Sequence, residues 1–250
     1  MKKNTLQEDD SNSVKVLDNQ LNPLHVFENF VAGEANKFAF LAAKSIGESS
    51  LYNPLIIQGE IGTGKTHLLH AIGNTMQAQD KKVIRVSIEN FLSEFTENLG
   101  NRTIDRFRKR YRECDLLLIE DLHDIQGKNQ TQQEFFHLFK SLLSGNKQIV
   151  ITSIVNIKQM DKMDEGLKNQ IQSGLEVNIR QPDIETRTGI IKKMCEIYQL
   201  QLEDEIINYI AAKIENNTHQ IQGIVAKIHA YSNMMKNSVT IEFVRGLLED

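Results

Sequence analysis

The residues best suited to chemistry form one continuous stretch, Gly59-Glu60-Ile61-Gly62-Thr63-Gly64-Lys65-Thr66. An apolar run at positions 55–57 precedes it, and a helical pattern beginning at His67 follows it. Glycines between a strand and a helix let backbone N–H groups turn inward around an anion, and the helix N-terminus adds unpaired donors. In this pattern the lysine reaches the β- and γ-phosphates of a nucleotide, and the threonine hydroxyl binds Mg²⁺. The sequence therefore predicts a phosphate-binding loop that holds ATP or ADP with Mg²⁺.

The predicted nucleotide contacts cover most of this loop and reach into the helix behind it. They are Gly59, Ile61, Gly62, Thr63, Gly64, Lys65, Thr66 and His67. Two apolar pairs, Val26-Phe27 and Phe30-Val31, lie upstream of the first core strand. Such residues either fold over the base of a bound nucleotide or pack in the core, and both interpretations can hold together. We include Val31 among the predicted contacts.

A second set of candidate residues follows the most apolar segment of the chain. The run at positions 116–119 predicts a buried central strand, and it ends in Glu120 and Asp121. Open α/β sheets bind ligands at the carboxyl ends of their strands. We expect Glu120 to bind Mg²⁺ together with Thr66, and Asp121 to orient an attacking water if the site is active. A strand-end acidic turn without a function is the alternative interpretation.

The composition is that of an ordinary globular protein, with 250 residues of which 40% are hydrophobic and 25% charged. A formal net charge of −4 gives no support for nucleic-acid binding by bulk charge, although it leaves room for a local basic patch. Cys114 and Cys195 lack metal-site spacing, so we expect two reduced, partly buried thiols. No apolar run approaches membrane-spanning length and the N-terminus lacks a signal peptide, so we expect a cytoplasmic protein without membrane contact.

Predicted strands and helices alternate up to about residue 180, and only helices follow Pro182. The predicted strands are 55–58, 83–87, 116–119, 148–153 and 176–179. The predicted helices are 36–45, 65–79, 89–99, 101–112, 132–143, 185–198, 205–214, 219–235 and 240–248. This alternation predicts an α/β fold with a parallel, doubly wound sheet. We expect a disordered tail at 1–19, a nucleotide-binding core at 20–180 and a helical subdomain at 181–250.

Two further segments are candidates for partner binding. The helix predicted at 101–112 carries a dense group of cations: Arg102, Arg106, Arg108, Lys109, Arg110 and Arg112. These cations indicate either a phosphate-contacting face or a solvated helix beside an acidic partner surface, and we favour the second interpretation. At the end of the polar tail, Gln20-Leu21 followed by Leu24 weakly resembles a short sliding-clamp-binding peptide.

Longer motifs surround the phosphate loop. They are Leu21-Asn22-Pro23, Phe27-x-Asn29-Phe30-Val31, Tyr52-Asn53-Pro54-Leu55, Lys65-Thr66-His67-Leu68-Leu69-His70, Phe107-Arg108-x-Arg110-Tyr111-Arg112 and Gln181-Pro182-Asp183-x-Glu185-Thr186-Arg187. From about Leu21 to Leu248, the sequence resembles the AAA+ ATPase domain of the DnaA family of bacterial replication initiators. The resemblance implies an AAA+ P-loop NTPase with a five-stranded parallel sheet and a C-terminal helical lid, and nucleotide held between the two.

The sequence departs from this family at positions that the resemblance assigns to hydrolysis. The family has two aspartates where this chain has Glu120 and Asp121, and an acidic sensor where this chain has Ile154. The family's trans-acting arginine finger falls on Gln170, and the lid arginine that touches phosphate falls on His219. We therefore include His219 among the predicted nucleotide contacts.

These replacements predict nucleotide binding with weak or absent hydrolysis. Gln170 cannot supply the charge of an arginine, and His219 supplies it only when protonated. A shifted alignment, in which Lys168 or Arg180 serves as the finger, is the alternative. Whether the protein is an active enzyme is therefore left open by its sequence.

The sequence ends at Asp250, directly after the expected lid. We therefore expect a DnaA/Hda-like paralogue that lacks the C-terminal DNA-binding domain. The resemblance implies a regulator of chromosomal replication initiation that pairs with a DnaA-type initiator, or with itself, through the AAA+ interface. An active AAA+ ATPase that loads or remodels a DNA–helicase complex is the alternative. Direct DNA binding is the least favoured function, because Gln130 replaces a family arginine, although Lys128 remains.

Overall fold

Five short apolar segments form one parallel sheet in the computed structural model. The strands are β1 (Leu55–Gly59), β2 (Val83–Ser87), β3 (Leu116–Glu120), β4 (Gln148–Ser153) and β5 (Leu175–Ile179). Their order across the sheet is β2-β3-β4-β1-β5. The structure describes residues 20–46, 52–214, 218–235 and 239–249, so the tail predicted at 1–19 lies outside the described residues. The predicted parallel sheet is confirmed, and each strand bound agrees to within one residue.

Helices cover both faces of the sheet because β3 and β4 are apolar on both sides. One face carries α1 (Lys37–Ile46) and α2 (Lys65–Gln77), and the other carries α3 (Ile88–Gly100), α4 (Ile104–Arg112), α5 (Asn129–Ser144) and α6 (Glu165–Gln172). Along β3 the buried side chains alternate, since Leu116 and Leu118 belong to the α2 side while Leu117 and Ile119 belong to the other. This two-sided packing is the predicted doubly wound arrangement.

Among the residues that the structure describes after the sheet, four helices share a hydrophobic core of their own. They are α7 (Ile184–Tyr198), α8 (Asp204–Lys213), α9 (Thr218–Met235) and α10 (Ile241–Glu249). Their core is built from apolar residues that include Ile191, Ile210, Ile221, Val225 and Val244. The C-terminal helical lid is thus confirmed, whereas the division of the chain between residues 180 and 181 stays a prediction.

Two smaller sequence expectations can also be compared with the structure. Cys114 and Cys195 are both free and buried, as expected. Helix α6 was not predicted, because its segment is short and polar; Asp164 defines its start by accepting a hydrogen bond from the Leu167 N–H (2.9 Å). In the ranges that the structure describes, none of the helices combines the length and hydropathy that a membrane crossing requires.

Candidate nucleotide-binding site

The strand order brings the chemically interesting residues to one edge of the sheet. β1 lies between β4 and β5, and β3 lies on the other side of β4. Since all strands are parallel, the loop after β1 and the acidic residues after β3 both lie at the carboxyl edge. The two predicted sets of site residues therefore share one edge, with the end of β4 between them.

The loop at residues 59–66 has the backbone that an anion cradle needs. Gly62 and Gly64 have φ values of +75° and +100°, a left-handed region that side chains disfavour. Gly64 is the N-cap of α2, so the first N–H groups of this helix have no partners within the helix itself. A side chain at Gly64 would also meet the Phe30 ring at 3.1 Å. The glycines therefore allow both the turn and the close approach of the upstream segment.

Lys65 is the first residue of α2, and its side chain is buried against the phosphate loop. Its Nζ donates a hydrogen bond to the Glu60 carbonyl oxygen (2.7 Å). Burial lowers the pKa of Lys65, and the charge of Asp121 opposes that shift. Thr66 is exposed in the first turn of α2, and Ile61 is exposed at the crest of the loop. The lysine and threonine are thus adjacent at the start of α2, and their contacts with phosphate and Mg²⁺ stay predictions.

A cavity of about 340 Å³ lies beside the loop, between core and lid. Its lining comes from the N-terminal segment, the loop with the start of α2, and the lid. The lining residues include His25, Phe30, Val31, Thr63, Gly64, His67, Met194, Tyr198, Thr218 and Gln222. The volume is that of a small-ligand pocket. The structure therefore brings together Val31, Thr63, Gly64 and His67 from the predicted contacts, and their role in binding stays a prediction.

Two histidines form a neutral wall of this cavity. The rings of His25 and His67 stack with centroids 4.6 Å apart. The Nε2 atom of His67 lies 2.9 Å from the Val26 carbonyl oxygen, whereas Nδ1 of His25 is buried without a hydrogen-bond partner within the described chain. Burial, followed by the neighbouring His67 and His70, lowers the pKa of His25 to about 4. The wall therefore offers flat, uncharged rings to the cavity.

The N-terminal segment that lines the cavity is fastened to α2. The side-chain amide of Asn74 donates to the carbonyl oxygens of Asn22 and His25, both at 2.9 Å. The Asn22 N–H donates to Nδ1 of His70 (2.8 Å), and Leu21 packs against Gly73. The helix that begins at the phosphate loop therefore also fixes the wall of the cavity.

Glu120, at the end of β3, is buried in an ion pair. Its Oε1 and Oε2 accept hydrogen bonds from Nε and Nη2 of Arg85, both at 3.0 Å. The Nε2 atom of His70 lies 3.3 Å from Oε1, too poorly aligned to be a hydrogen bond, so we treat it as an electrostatic contact. Burial raises the pKa of Glu120, but His70 and Arg85 together outweigh it and hold the pKa below its usual value. The carboxylate is thus ionised and already bonded.

Asp121 differs from its neighbour in both backbone and surroundings. Its φ and ψ are +54° and +50°, a left-handed conformation that is costly for a residue with a side chain. Its N–H donates to the Thr152 hydroxyl at the end of β4 (3.3 Å). Burial raises the pKa of Asp121, while its charge interacts with that of Lys65. Asp121 therefore lies just outside the strand, and its charge interacts with those of His123, Glu120, Asp124 and Lys65.

The donor and acceptor groups of the site are of the kinds that a nucleotide and its metal ion require. The loop donors, Lys65 and the cavity suit a nucleoside phosphate. The Thr66 hydroxyl and the Asp121 carboxylate are the hard oxygen donors that Mg²⁺ takes, whereas both oxygens of Glu120 already accept from Arg85. The chain's residues therefore suit a nucleoside phosphate, whereas Glu120 is already engaged by Arg85, and the Mg²⁺ contacts stay a prediction.

The positions predicted to replace hydrolytic residues lie in different places. Ile154 follows β4, is 39% exposed, and lines a shallow depression together with Gln58 and Asn156. Gln170 lies on α6 and is half-buried. His219 lies in the first turn of α9, next to Thr218, whose N–H and hydroxyl both donate to the Gly62 carbonyl oxygen. The lid thus contacts the phosphate loop directly, through a threonine that the sequence did not single out.

Two of the cations on α4 hold this helix to its neighbours. Arg108 donates twice to the carboxylate of Glu134 on α5, at 2.8 and 2.7 Å, and Arg110 donates to Glu94 on α3 at 2.7 Å. Arg106 and Arg112 are exposed. Part of the cationic helix therefore serves the fold, and only the remainder is available to a partner.

Several residues of this site were not predicted as contacts: His25, Arg85, Thr152 and Thr218, together with Asn22 and His70, which were named only as parts of longer motifs. Arg85 had a separate detectable signal. Arg85 is a charged residue inside an otherwise apolar strand, and a buried charge requires a partner. The others act through contacts between distant segments, for which the sequence carries no local pattern.

The sequence is similar to that of known bacterial replication initiators. The family model of the bacterial DnaA ATPase domain matches residues 21–178. The chromosomal replication initiator protein DnaA of Sulfurimonas denitrificans is 42% identical over 232 residues. That alignment covers 92% of this chain and 53% of the relative, so the chain spans about half of the relative's length.

Solved structures agree with the sequence comparison. Domain III of the replication initiation protein DnaA from Thermotoga maritima matches with a TM-score of 0.89 and 35% identity, over 92% of this chain and 98% of that one. A replication initiator DnaA bound to AMPPCP and single-stranded DNA matches with a TM-score of 0.78 and 36% identity, over 86% of this chain and 69% of that one. The fold is therefore that of an AAA+ P-loop NTPase, as the sequence predicted.

Proposed function

The chain belongs to the family of bacterial DnaA ATPase domains, and from this premise we propose that it binds ATP or ADP between core and lid and acts in, or regulates, the initiation of chromosomal replication. One observation carries the nucleotide part of this proposal. The cavity of about 340 Å³ opens beside a glycine loop that ends in Lys65 and Thr66. A place for a base and a place for phosphates are thus adjacent.

We assign residues of this chain to each part of the nucleotide. The phosphates would accept hydrogen bonds from the loop N–H groups and from Lys65. The Lys65 ammonium group would then exchange its hydrogen bond to the Glu60 carbonyl oxygen for a stronger one to a charged phosphate oxygen. Thr66 would supply a hydroxyl oxygen to Mg²⁺, which neutralises phosphate charge when bound. The base would lie against the stacked rings of the His25–His67 wall. His219, at the start of α9, is placed on the lid side of the loop.

We propose further that hydrolysis by the chain alone is weak or absent. Ile154 has no polar atom that could orient water or sense the γ-phosphate. Gln170 lacks the charge of an arginine finger, which raises turnover by about 10³-fold or more where it acts. Binding needs neither of these positions, so affinity can persist without turnover.

The proposed partner is a DnaA-type initiator or a second copy of this chain, engaged through the AAA+ interface. The expected loss of the arginine finger at Gln170 is compatible with this pairing. A chain without the finger can still bind an initiator protomer at the AAA+ interface, even though it does not stimulate ATP hydrolysis there. A related initiator binds single-stranded DNA, and the exposed cations Arg106 and Arg112 leave such binding open to test here. A sliding-clamp partner has weaker support, since Leu21 is packed against α2. A role in replication would place the protein in the cytoplasm.

The deciding experiment measures nucleotide affinity and ATP turnover on the purified chain over a series of protein dilutions. We expect purine nucleotides to bind and a pyrimidine triphosphate to bind more weakly, with negligible turnover at every protein concentration. The same assay is repeated after adding a DnaA initiator, whose own turnover we expect to change. Absence of nucleotide binding would contradict the first part of the proposal. Turnover that rises with protein concentration would contradict the second, because it would reveal a working finger in this chain.

A further inference from the structure

The ion pair between Arg85 and Glu120, beneath α2, engages both oxygens of the Glu120 carboxylate. Arg85 and Glu120 lie on the same face of neighbouring strands, because Arg85 is opposite Leu118 in the register and Glu120 is two residues further along. Arg85 is 9% exposed and Glu120 8%. A buried charge is tolerated when it is paired and hydrogen-bonded, and this pair meets that condition through two bonds of 3.0 Å. The glutamate is therefore bound to the arginine across the two strands.

Resting on the proposed nucleotide binding, we propose that Glu120 is the counter-ion of Arg85 and not a ligand of Mg²⁺, and that Asp121 is the carboxylate that faces the metal ion beside Thr66. Mg²⁺ demands near-ideal octahedral geometry from its oxygen ligands and binds through one or two carboxylates. Both oxygens of Glu120 already accept from a guanidinium, whose positive charge also repels a divalent cation at this distance. The arginine thus occupies the place that a cation would take.

Asp121 has the position and freedom that Glu120 lacks. Its left-handed backbone leaves the strand, so its side chain is released from the alternation that directs Glu120 under α2. It is half-buried, and its charge interacts with Lys65, the group that meets phosphate in a loop of this kind. The Thr152 hydroxyl accepts a hydrogen bond from the Asp121 N–H and so fixes the turn. Of the two adjacent carboxylates, Asp121 is therefore the one that Arg85 does not engage, and the proposal assigns the metal ion to it.

This assignment bears on turnover as well. Two carboxylates at a strand end can divide the work, one binding the metal ion and the other orienting water. With Glu120 bound to Arg85, a single carboxylate remains for both tasks. An oxygen that binds Mg²⁺ is a weaker acceptor for the proton of an attacking water. The ion pair thus favours a chain that binds nucleotide and hydrolyses it poorly.

The metal half of the proposal is tested by the Mg²⁺ dependence of nucleotide binding. The dissociation constant of a fluorescent ATP analogue is measured with Mg²⁺ and with a chelator. The value in chelator divided by the value in Mg²⁺ gives the strengthening of binding by the metal ion, and this ratio is compared among variants. We expect Glu120→Gln and Arg85→Met/Glu120→Met to keep the wild-type ratio within about twofold. We expect Asp121→Asn to lower it by about tenfold, as the loss of a metal-site carboxylate should. The reverse pattern, with the ratio lost in the Glu120 variants and kept in Asp121→Asn, would overturn the proposal.

The double variant keeps the test valid if Glu120→Gln fails to fold. Replacing both members of a buried ion pair by apolar residues of similar size is often neutral, whereas removing one member leaves an unpaired charge. We expect Arg85→Met and Glu120→Met each to lower the melting temperature by about 10 °C, and the double variant to lower it by much less than the sum. Additive shifts would overturn the pairing.

A matched control comes from the exposed pair Lys82–Glu113, whose side chains are 50% and 49% exposed. The same substitutions at this pair should shift the melting temperature by no more than about 2 °C, since exposed pairs contribute little. If the wild type binds no nucleotide in either buffer, the proposed function fails and the metal role of Asp121 fails with it. The unfolding measurements then still decide whether Arg85 and Glu120 are partners, because they require no nucleotide.

Discussion

The two halves of the candidate site differ in how completely they are built. On the binding side, the loop, the N-terminal segment and the start of α9 enclose a cavity of about 340 Å³. On the hydrolytic side, the ends of β3 and β4 present a glutamate already bonded to Arg85 and an apolar Ile154. Binding and turnover are separate requirements, and the proposed function assigns this chain the first without the second.

The physical origin of this difference lies in which groups each half uses. The binding half relies on backbone N–H groups, one lysine and flat apolar walls, which come from segments packed against α2. The hydrolytic half relies on charged side chains placed singly at strand ends and, for a finger, on a second chain. If Gln170 and Ile154 stand where relatives carry charged groups, as the resemblance implies, the hydrolytic half is one that can be lost position by position without disturbing the fold.

The largest effect is expected from Lys65→Ala, which should raise the dissociation constant for ATP by about 100-fold because it removes charge-assisted hydrogen bonds to phosphate. Titration with a fluorescent nucleotide measures the change. Lys44→Ala, an exposed lysine on α1, is the matched control and should leave affinity unchanged. Equal ATP affinity in the Lys65 variant and the wild type would mean that the phosphates do not bind at the loop of residues 59–66.

A gain of function should follow from Gln170→Arg if the hydrolytic half is limited by the missing finger. We expect ATP turnover to rise by about tenfold or more, and only at high protein concentration, because a finger acts on a neighbouring chain. Asn169→Arg adds the same charge at an exposed neighbouring position and should have no such effect. An unchanged turnover in Gln170→Arg would assign the defect to Ile154 or to the paired Glu120 instead.

A smaller effect is expected where the lid meets the loop. Thr218→Val removes a hydroxyl that donates to the Gly62 carbonyl, so the lid should close less firmly and nucleotide affinity should fall by about fivefold. Thr96→Val, on the exposed side of α3, is the control with the same chemical change. If affinity is insensitive to Thr218, the contact between lid and loop plays no part in the binding half.

The smallest effect is a pH dependence of stability in the binding half. His25 has a pKa of about 4 in the folded chain, below its usual 6.5, so the unfolded chain binds more protons between these values. Stability from this group is fully present above pH 6.5 and is lost as the pH falls toward 4. The melting temperature should therefore drop by a few degrees between pH 7 and pH 5, and less so in His25→Phe. His67, whose pKa burial also lowers, should account for part of what remains; a variant with the full wild-type drop would exclude His25 as a cause.

Much of the fold followed from local pattern. The strand β3 was predictable because four consecutive apolar residues between polar segments fit only a strand covered on both faces. Helix α6 was not, because it is short and polar and depends on packing by Leu167 and Ile171 against the sheet. The cationic helix was predicted in place, but its ion pairs with Glu94 and Glu134 could not be, since those partners lie on other helices.

The sequence by itself determined the phosphate loop and the identity of the fold. Eight adjacent residues specify the loop, and its backbone geometry follows from the glycines at positions 62 and 64. Alternating strands and helices specify a parallel sheet, and parallel strands bring their carboxyl ends to one edge. These are properties of neighbours along the chain, so the order of residues suffices to predict them.

Only the tertiary structure decided which carboxylate is free to act. Glu120 and Asp121 are adjacent and chemically alike, yet one is bound to Arg85, 35 positions earlier, while the other leaves the strand in a left-handed conformation. Likewise, Thr218 reaches Gly62 across 156 positions of sequence. Such contacts depend on the register of strands and the docking of the lid, which are set by packing of the whole core and not by any short stretch of sequence.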